Sequence, residues 1–109
     1  MAQGSDVAIT LDVDAIDLIP EALELARMGI LPAGMYRNRR YAEPGVEAGD
    51  VELAKQDMLY DPQTAGGLLM AVDPEDAEAL FEELKTTVPS AQRIGTVAEY
   101  QGGKRIILR

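Results

Sequence analysis

The chain has 109 residues, 47% of them hydrophobic, which predicts one compact, folded domain rather than a disordered segment. Its formal net charge of −9 argues against nucleic acid as the main partner, because an acidic protein repels a phosphate backbone. With no His and no Cys, the chain lacks the residues of Ser–His and Cys–His catalysis and of the usual zinc sites.

The first half of the chain predicts two helices and a strand. Over residues 7–13 the large apolar residues Val, Ile, Leu and Val alternate with Ala, Thr and Asp, as in a strand with one buried face. Residues 21–28 are strong helix formers that end at Gly29. Proline and glycine interrupt residues 30–49, which predicts a long irregular connection. A short helix is expected over residues 51–59.

The second half predicts more of the sheet. Residues 67–72 form a continuous apolar run, typical of a strand covered on both faces near the centre of a sheet. Asp73 and Pro74 predict the start of a helix whose apolar stripe should pack on the sheet. Residues 93–108 are interpreted as strand, Gly-Gly turn and strand, a terminal β-hairpin. Together these elements predict an α+β fold with helices packed on a mixed β-sheet.

Asp61–Gly67, with the sequence DPQTAGG, is the first candidate site. Its two glycines let backbone N–H groups approach an anion closely, beside a carboxylate, an amide and a hydroxyl group. A tight turn explains the same residues, because Asp and Pro end helices and glycine relieves crowding. The phosphate- or substrate-facing candidates in this segment are Asp61, Gln63, Thr64, Gly66 and Gly67.

A second candidate site lies in a basic segment of this otherwise acidic chain. Three arginines fall within four positions, at Arg37, Arg39 and Arg40, and attract anions locally. Arg37 and Asn38 are interpreted as facing phosphate or product, because a guanidinium group matches the geometry of phosphate oxygens. The alternative is a solvated charged loop in which tyrosine rings pack under arginine stems. Arg39 and Arg40 are expected on the surface.

Several segments resemble one enzyme family. Asp61–Leu69 resembles the DPQTSGGLL signature of selenophosphate synthetases, which are also called selenide, water dikinases. Asp14–Ile16, Gly29–Gly34 and Ile94–Val97 resemble further elements of that family, and the Arg37-Asn38 pair matches one of its pairs. The resemblance spans nearly the whole chain. One departure is Ala65, which stands where the family commonly has serine, so that hydroxyl group is absent.

The resemblance implies an activity and different roles for two domains. Selenophosphate synthetases make selenophosphate from selenide, ATP and water, releasing AMP and phosphate, and they share the fold group of aminoimidazole ribonucleotide synthetase. In that group an N-terminal domain forms the homodimer and binds most of the ATP and Mg²⁺, while the C-terminal domain closes over the site. The catalytic Cys or selenocysteine lies in the N-terminal domain, which implies no catalytic residue and no metal site here.

We therefore expect residues 1–109 to be one domain, the C-terminal domain of a larger two-domain enzyme and inactive alone. Residues 1–5 are expected to end an interdomain segment. No window approaches the ~20 apolar residues of a membrane span, and no signal peptide is evident, so a cytoplasmic location without membrane contact is expected. A stand-alone module that binds a phosphate metabolite or a protein partner is the alternative, and a purely structural domain is the third interpretation.

Overall fold

The computed structural model describes residues 1–109 and contains four α-helices and four strands. The strands are β1 (Val7–Leu11), β2 (Val46–Glu47), β3 (Gly95–Glu99) and β4 (Ile106–Leu108). The helices are α1 (Ala22–Arg27), α2 (Ala33–Ala42), α3 (Leu53–Leu59) and α4 (Pro74–Thr87). One-turn 3-10 helices span Val13–Ala15 and Glu43–Gly45. The predicted α+β fold, with helices on a mixed sheet, is confirmed.

The sheet has the strand order β2-β4-β1-β3. β1 runs parallel to β4, with Ile9 opposite Ile106, and antiparallel to β3, with Ile9 opposite Val97. β4 also runs parallel to β2. The buried side chains of Ile9 and Leu108 place the core beneath the two central strands.

The predicted terminal β-hairpin is wrong. β3 and β4 do not pair with each other, because β1 lies between them. Gly102 and Gly103 do form a turn, with φ of 94° and 82°, but the chain then crosses to the far side of β1. The Gly-Gly pair indicates only that the chain changes direction there. Which strands pair depends on a strand that is distant in the sequence.

The predicted irregular connection over residues 30–49 is also wrong, since it contains α2 and β2. Pro32 caps the beginning of α2, and the 3-10 turn with Pro44 follows its end. Met35 is fully buried, so packing of α2 against the core outweighs the low helix propensity of its glycine. Proline and glycine here mark the ends of a helix rather than a loop.

The predicted strand over residues 67–72 does not form in this structure. No backbone hydrogen bond joins residues 64–72 to the rest of the chain, and Leu68 is 85% exposed. The placement near the sheet centre is wrong, because β3 and β4 occupy both sides of β1. Apolar character shows that a segment can be a strand, but a strand also needs a neighbour that offers backbone donors and acceptors.

α4 begins where the sequence predicted, and Asp73 caps it by accepting a hydrogen bond from the Glu75 N–H at 2.9 Å. Pro74 occupies the first turn. The apolar stripe of α4 is only half-buried at Phe81 and Leu84, and no residue of this helix is buried. The expected packing of the stripe on the sheet is therefore incomplete.

α1 and α3 pack together and carry an exposed ion cluster. Arg27 donates to the carboxylates of Glu24 and Glu52, with the Nε–Oε1 distance to Glu52 at 2.8 Å. The hydrogen bond from Arg27 lowers the pKa of Glu52. Ala26 and Ala54 are buried where the two helices meet, since small side chains allow close approach. No helix of this fold has the length and apolar character needed to span a membrane.

Candidate functional site

The Asp61–Gly67 loop leaves α3 beside α2, and Asn38 holds its base. The Asn38 side chain donates a hydrogen bond from Nδ2 to the backbone carbonyl of Tyr60 at 2.9 Å. Tyr60 immediately precedes the loop. Asn38 thus lies in a helix rather than in the predicted charged loop, and its amide group is used by the protein backbone.

Gly34, one helical turn before Asn38, provides space for the loop. A Cβ atom at Gly34 would lie 2.8 Å from Cγ and 3.0 Å from Cβ of Pro62. Such distances are shorter than real carbon contacts, so only glycine lets the Pro62 ring pack against α2. The same position lies 3.9 Å from a terminal nitrogen of Arg37. The fold therefore brings Arg37 and Asn38 to the beginning of the loop.

A partly buried ion pair joins α2 to α3 near the loop. Arg39 Nη1 donates to Asp57 Oδ1 at 2.7 Å, and the Asp57 side chain is 7% exposed. The expected surface position of Arg39 is wrong, because its guanidinium turns inward to this carboxylate. Asp57 was not among the candidate residues. The sequence could have indicated its burial, because Asp57 follows Ala54 by three residues and therefore lies on the same, apolar side of the helix.

Tyr60 ends α3 next to this pair. Burial raises the pKa of the Tyr60 phenol, and the nearby Glu43 carboxylate raises it further. Glu43 also lies within 3.7 Å of Arg39. Arg39, Glu43 and Asp57 thus lie near the residue that immediately precedes the loop.

The distal part of the loop is fully exposed. Gln63 donates its backbone N–H to the Asp61 carbonyl at 2.9 Å, and its side chain folds over Gly66. Neither Gly66 nor Gly67 has a positive φ, so this backbone conformation does not itself require glycine. Gly66 provides space for the Gln63 side chain, whereas no atom lies within 4 Å of the position that a Cβ atom at Gly67 would take. The N–H groups of residues 64–67 have no partner within the chain.

Arg37 and Arg40 have no hydrogen bond or ion pair within the chain. Every other Lys or Arg side chain bonds to a carboxylate or to a backbone carbonyl. The guanidinium group of Arg37 is therefore available beside the loop. Arg40 is exposed, and its surface prediction agrees with the structure.

No group of three or more Asp or Glu side chains lies close enough to hold a metal ion. A cavity of about 570 Å³ is away from the loop at the carboxyl ends of β1 and β4. Its two cationic groups are already paired, with Lys55 bonded to Asp14 and Arg109 to Glu47. None of the candidate site residues lines it.

Residues 1–107 match the family described as AIR synthase related protein, C-terminal domain. The chain is 46% identical over 99 residues to the selenide, water dikinase of Clostridioides difficile (strain 630), covering 89% of this chain and 28% of that protein. It is 45% identical over 84 residues to the selenide, water dikinase of Treponema denticola, covering 77% of this chain and 24% of that protein.

A third relative is the selenide, water dikinase of Clostridium botulinum (strain Eklund 17B / Type B), which is 36% identical over 110 residues, 100% of this chain and 32% of that protein. The chain thus spans between 24% and 32% of the length of these curated relatives. The resemblance drawn from Asp61–Leu69 is confirmed. The chain belongs to the family of AIR synthase related proteins, in which it corresponds to the C-terminal domain.

Proposed function

We propose that this chain is the C-terminal domain of a selenide, water dikinase, an ATP-dependent phosphotransferase that makes selenophosphate from selenide, ATP and water and releases AMP and phosphate. The proposal rests on one observation. The DPQTAGG loop is held against α2, next to the Arg37 guanidinium group, which has no partner in the chain. The names of three relatives support the same activity.

In this proposal the domain closes over the active site, with the loop and α2 facing the phosphate groups. The backbone N–H groups of residues 64–67, the Thr64 hydroxyl and the Arg37 guanidinium supply donors for phosphate oxygens. Asp61, Gln63, Gly66, Gly67 and Asn38 complete the proposed substrate-facing set. Charge favours this location, since Arg37 is one of four Lys or Arg side chains that form no ion pair on this acidic chain.

The donor groups fit phosphate better than a metal ion. Asp61 is the one carboxylate in the loop, whereas Mg²⁺ is bound by carboxylates together with substrate phosphates and water. We therefore place most of the ATP and Mg²⁺ ligands in an N-terminal domain of the same polypeptide. The chain also has no His or Cys to act as base or nucleophile near neutral pH. The proposed contribution of this domain is to bind and orient the phosphate groups and to exclude water from them.

Exposed apolar side chains support a protein partner for this domain. Ile19 and Met28, which flank α1, are 78% and 72% exposed, and Leu53 at the start of α3 is 54% exposed. Large apolar side chains left in water are a feature of protein contact sites when they group together. We assign it to contact with the N-terminal domain, within a homodimeric cytoplasmic enzyme.

The first test measures AMP formation from ATP and selenide by residues 1–109 alone. No AMP above background is expected, because the chain has no His or Cys to act as base or nucleophile near neutral pH. Robust AMP formation would overturn the assignment as a closing domain. In the enzyme that contains this domain, Arg37→Ala should lower kcat/KM about 10-fold or more, since a charge-assisted contact to phosphate is lost.

Arg93→Ala is the matched control, because Arg93 is an exposed arginine far from the loop in the sequence and bonds to Glu78. It should leave kcat/KM unchanged. Phosphate titration of the chain, followed by NMR, should shift the amide signals of residues 64–67. Undisturbed signals would favour a purely structural domain. Phosphate binding without any effect of Arg37→Ala on dikinase activity would favour the stand-alone phosphate-binding module.

A further inference from the structure

The ion pair between Arg39 and Asp57 differs from the other ion pairs of the chain in its burial. The side chains of Arg39 and Asp57 are 25% and 7% exposed, whereas the carboxylate of every other pair is at least 42% exposed. Removing a carboxylate from water is costly, and an apolar pair of similar volume is often as stable as a buried ion pair. Stability alone therefore does not explain why charged groups join α2 to α3.

Two hydrogen bonds from adjacent residues of α2 restrict how this helix is oriented against α3. Arg39 donates from Nη1 to Asp57 Oδ1 at 2.7 Å, and Asn38 donates from Nδ2 to the Tyr60 carbonyl at 2.9 Å. Adjacent side chains of a helix project about 100° apart, and the two acceptors lie one turn apart at the end of α3. Because hydrogen bonds are short and directional, both form together only within a narrow range of orientations of α2.

Apolar packing by itself leaves the rotation of α2 less well defined. Met35 is the one buried residue of this helix and lies one turn before Arg39, on the same side. Hydrophobic contact is not directional, and a flexible methionine side chain adapts to several arrangements. Met35 thus anchors α2 in the core, whereas the bond from Arg39 to Asp57 specifies the angle at which the helix lies.

The orientation of α2 sets the position of Arg37, whose guanidinium group has no partner in the chain to hold it. A Cβ atom at Gly34 would lie 3.9 Å from a terminal nitrogen of Arg37 and 2.8 Å from Cγ of Pro62, so this side of α2 faces the loop. Side chains reach about 6 Å from a helix axis, and a rotation of about 10° therefore moves their ends by about 1 Å. A displacement of about 1 Å in a group that orients a substrate can lower a rate about 100-fold.

We propose that Asp57 and Arg39 are positioning residues of the dikinase reaction. By fixing the orientation of α2, they hold the Arg37 guanidinium at the distance from the Asp61–Gly67 loop at which both contact the same phosphate group. The inference rests on the proposed function, because it requires Arg37 to face phosphate. Neither Asp57 nor Arg39 touches the substrate, and their charges serve the register of two helices rather than net stability.

An apolar replacement of the pair separates positioning from stability. The double variant Arg39→Met/Asp57→Leu should keep the urea midpoint of the chain within about 0.5 M. In the enzyme that contains this domain it should lower kcat for AMP formation about 10-fold or more, with KM for ATP changed less than about twofold. The control is Arg93→Met/Glu78→Leu, which replaces an exposed pair with the same 2.7 Å separation and should leave kcat and KM unchanged. An unchanged kcat in Arg39→Met/Asp57→Leu would overturn the proposal.

A double-mutant cycle with Arg37 is a second test, which does not require the apolar pair to fold. Asp57→Asn keeps the size of the side chain and should lower kcat about threefold or more by itself. In an Arg37→Ala background it should lower kcat less than about twofold further, because no guanidinium group is left to position. Losses that multiply would overturn this inference alone, since Arg37 would still act on phosphate. If Arg37→Ala has no effect in the unchanged enzyme, this inference and the proposed phosphate contact both fail.

Discussion

Arg39 and Asp57 form an ion pair between α2 and α3, with Nη1 and Oδ1 2.7 Å apart, and Asp57 is the one buried charged residue in the fold. Asp57→Ala should lower the free energy of unfolding by about 2–3 kcal/mol, because it leaves a partly buried guanidinium without its acceptor. Urea unfolding followed by circular dichroism measures this change.

The exposed pair of Arg93 and Glu78 is the matched control, with an N–O distance of 2.7 Å like that of the buried pair. Glu78→Ala should change stability by less than about 0.5 kcal/mol, because exposed pairs are screened by water. Equal effects of the two substitutions would contradict the structural role given to Asp57.

Gly34→Ala should displace the base of the loop. The added methyl group meets the Pro62 ring, so stability should fall by about 1–2 kcal/mol, although alanine ordinarily stabilises a helix relative to glycine. Pro62→Ala removes the Cγ atom and should recover part of this loss when combined with Gly34→Ala. A double-mutant cycle in urea measures the coupling. Strictly additive effects of the two changes would argue against the contact.

Gly95→Ala should be among the most damaging small substitutions. An added Cβ would overlap the Thr10 carbonyl oxygen and lie 3.1 Å from its carbon, and both atoms belong to the backbone of β1. The β1–β3 ladder has to separate to accommodate it, which should cost more than about 2 kcal/mol of unfolding free energy. Thermal unfolding measures the loss.

Gly45→Ala is the control for this substitution. No atom lies within 4 Å of the position that its Cβ would take, and its φ is not positive. It should therefore be neutral or slightly stabilising. A comparable loss at both glycines would point to a general effect of alanine rather than to the contact with Thr10.

The pKa of Tyr60 predicts an alkaline limit to stability. Burial raises this pKa, so the folded state holds the phenol proton more tightly than the unfolded state. The stabilising contribution is complete below the unfolded pKa, about 10, and is lost as the pH rises through the folded pKa. Tyr60→Phe removes this ionisation, so urea midpoints between pH 9 and 11 should fall less steeply than in the unchanged chain. Parallel slopes would contradict the assignment.

The sequence alone predicted much of the fold class and of the local structure. β1, α1, α3 and α4 were all foreseen within a few residues, because hydrophobic period and capping residues such as Asp73 act over short distances. The family was also evident from Asp61–Leu69. The arrangement of the sheet was not foreseen, since the Gly-Gly turn suggested a hairpin where β1 intervenes.

The candidate site was likewise predictable from the sequence only in part. The pattern of residues singled out Arg37, Asn38 and the Asp61–Gly67 loop as separate features. Their proximity was unpredictable, because the bond from Asn38 to the Tyr60 carbonyl and the packing of Pro62 on Gly34 join α2 to the end of α3. Arg39 was misplaced for the same reason, since its partner Asp57 lies on another helix.

By itself, then, the sequence determined the α+β class, the family and the chemical groups available for binding phosphate, because these follow from residue type and short-range spacing. Tertiary structure decided that β1 separates β3 from β4, that α2 is a helix, and that its glycine and asparagine hold the loop. It also left Gly67–Val72 without the neighbour that its apolar pattern favours. These outcomes depend on contacts between residues far apart in the sequence, which no local pattern encodes.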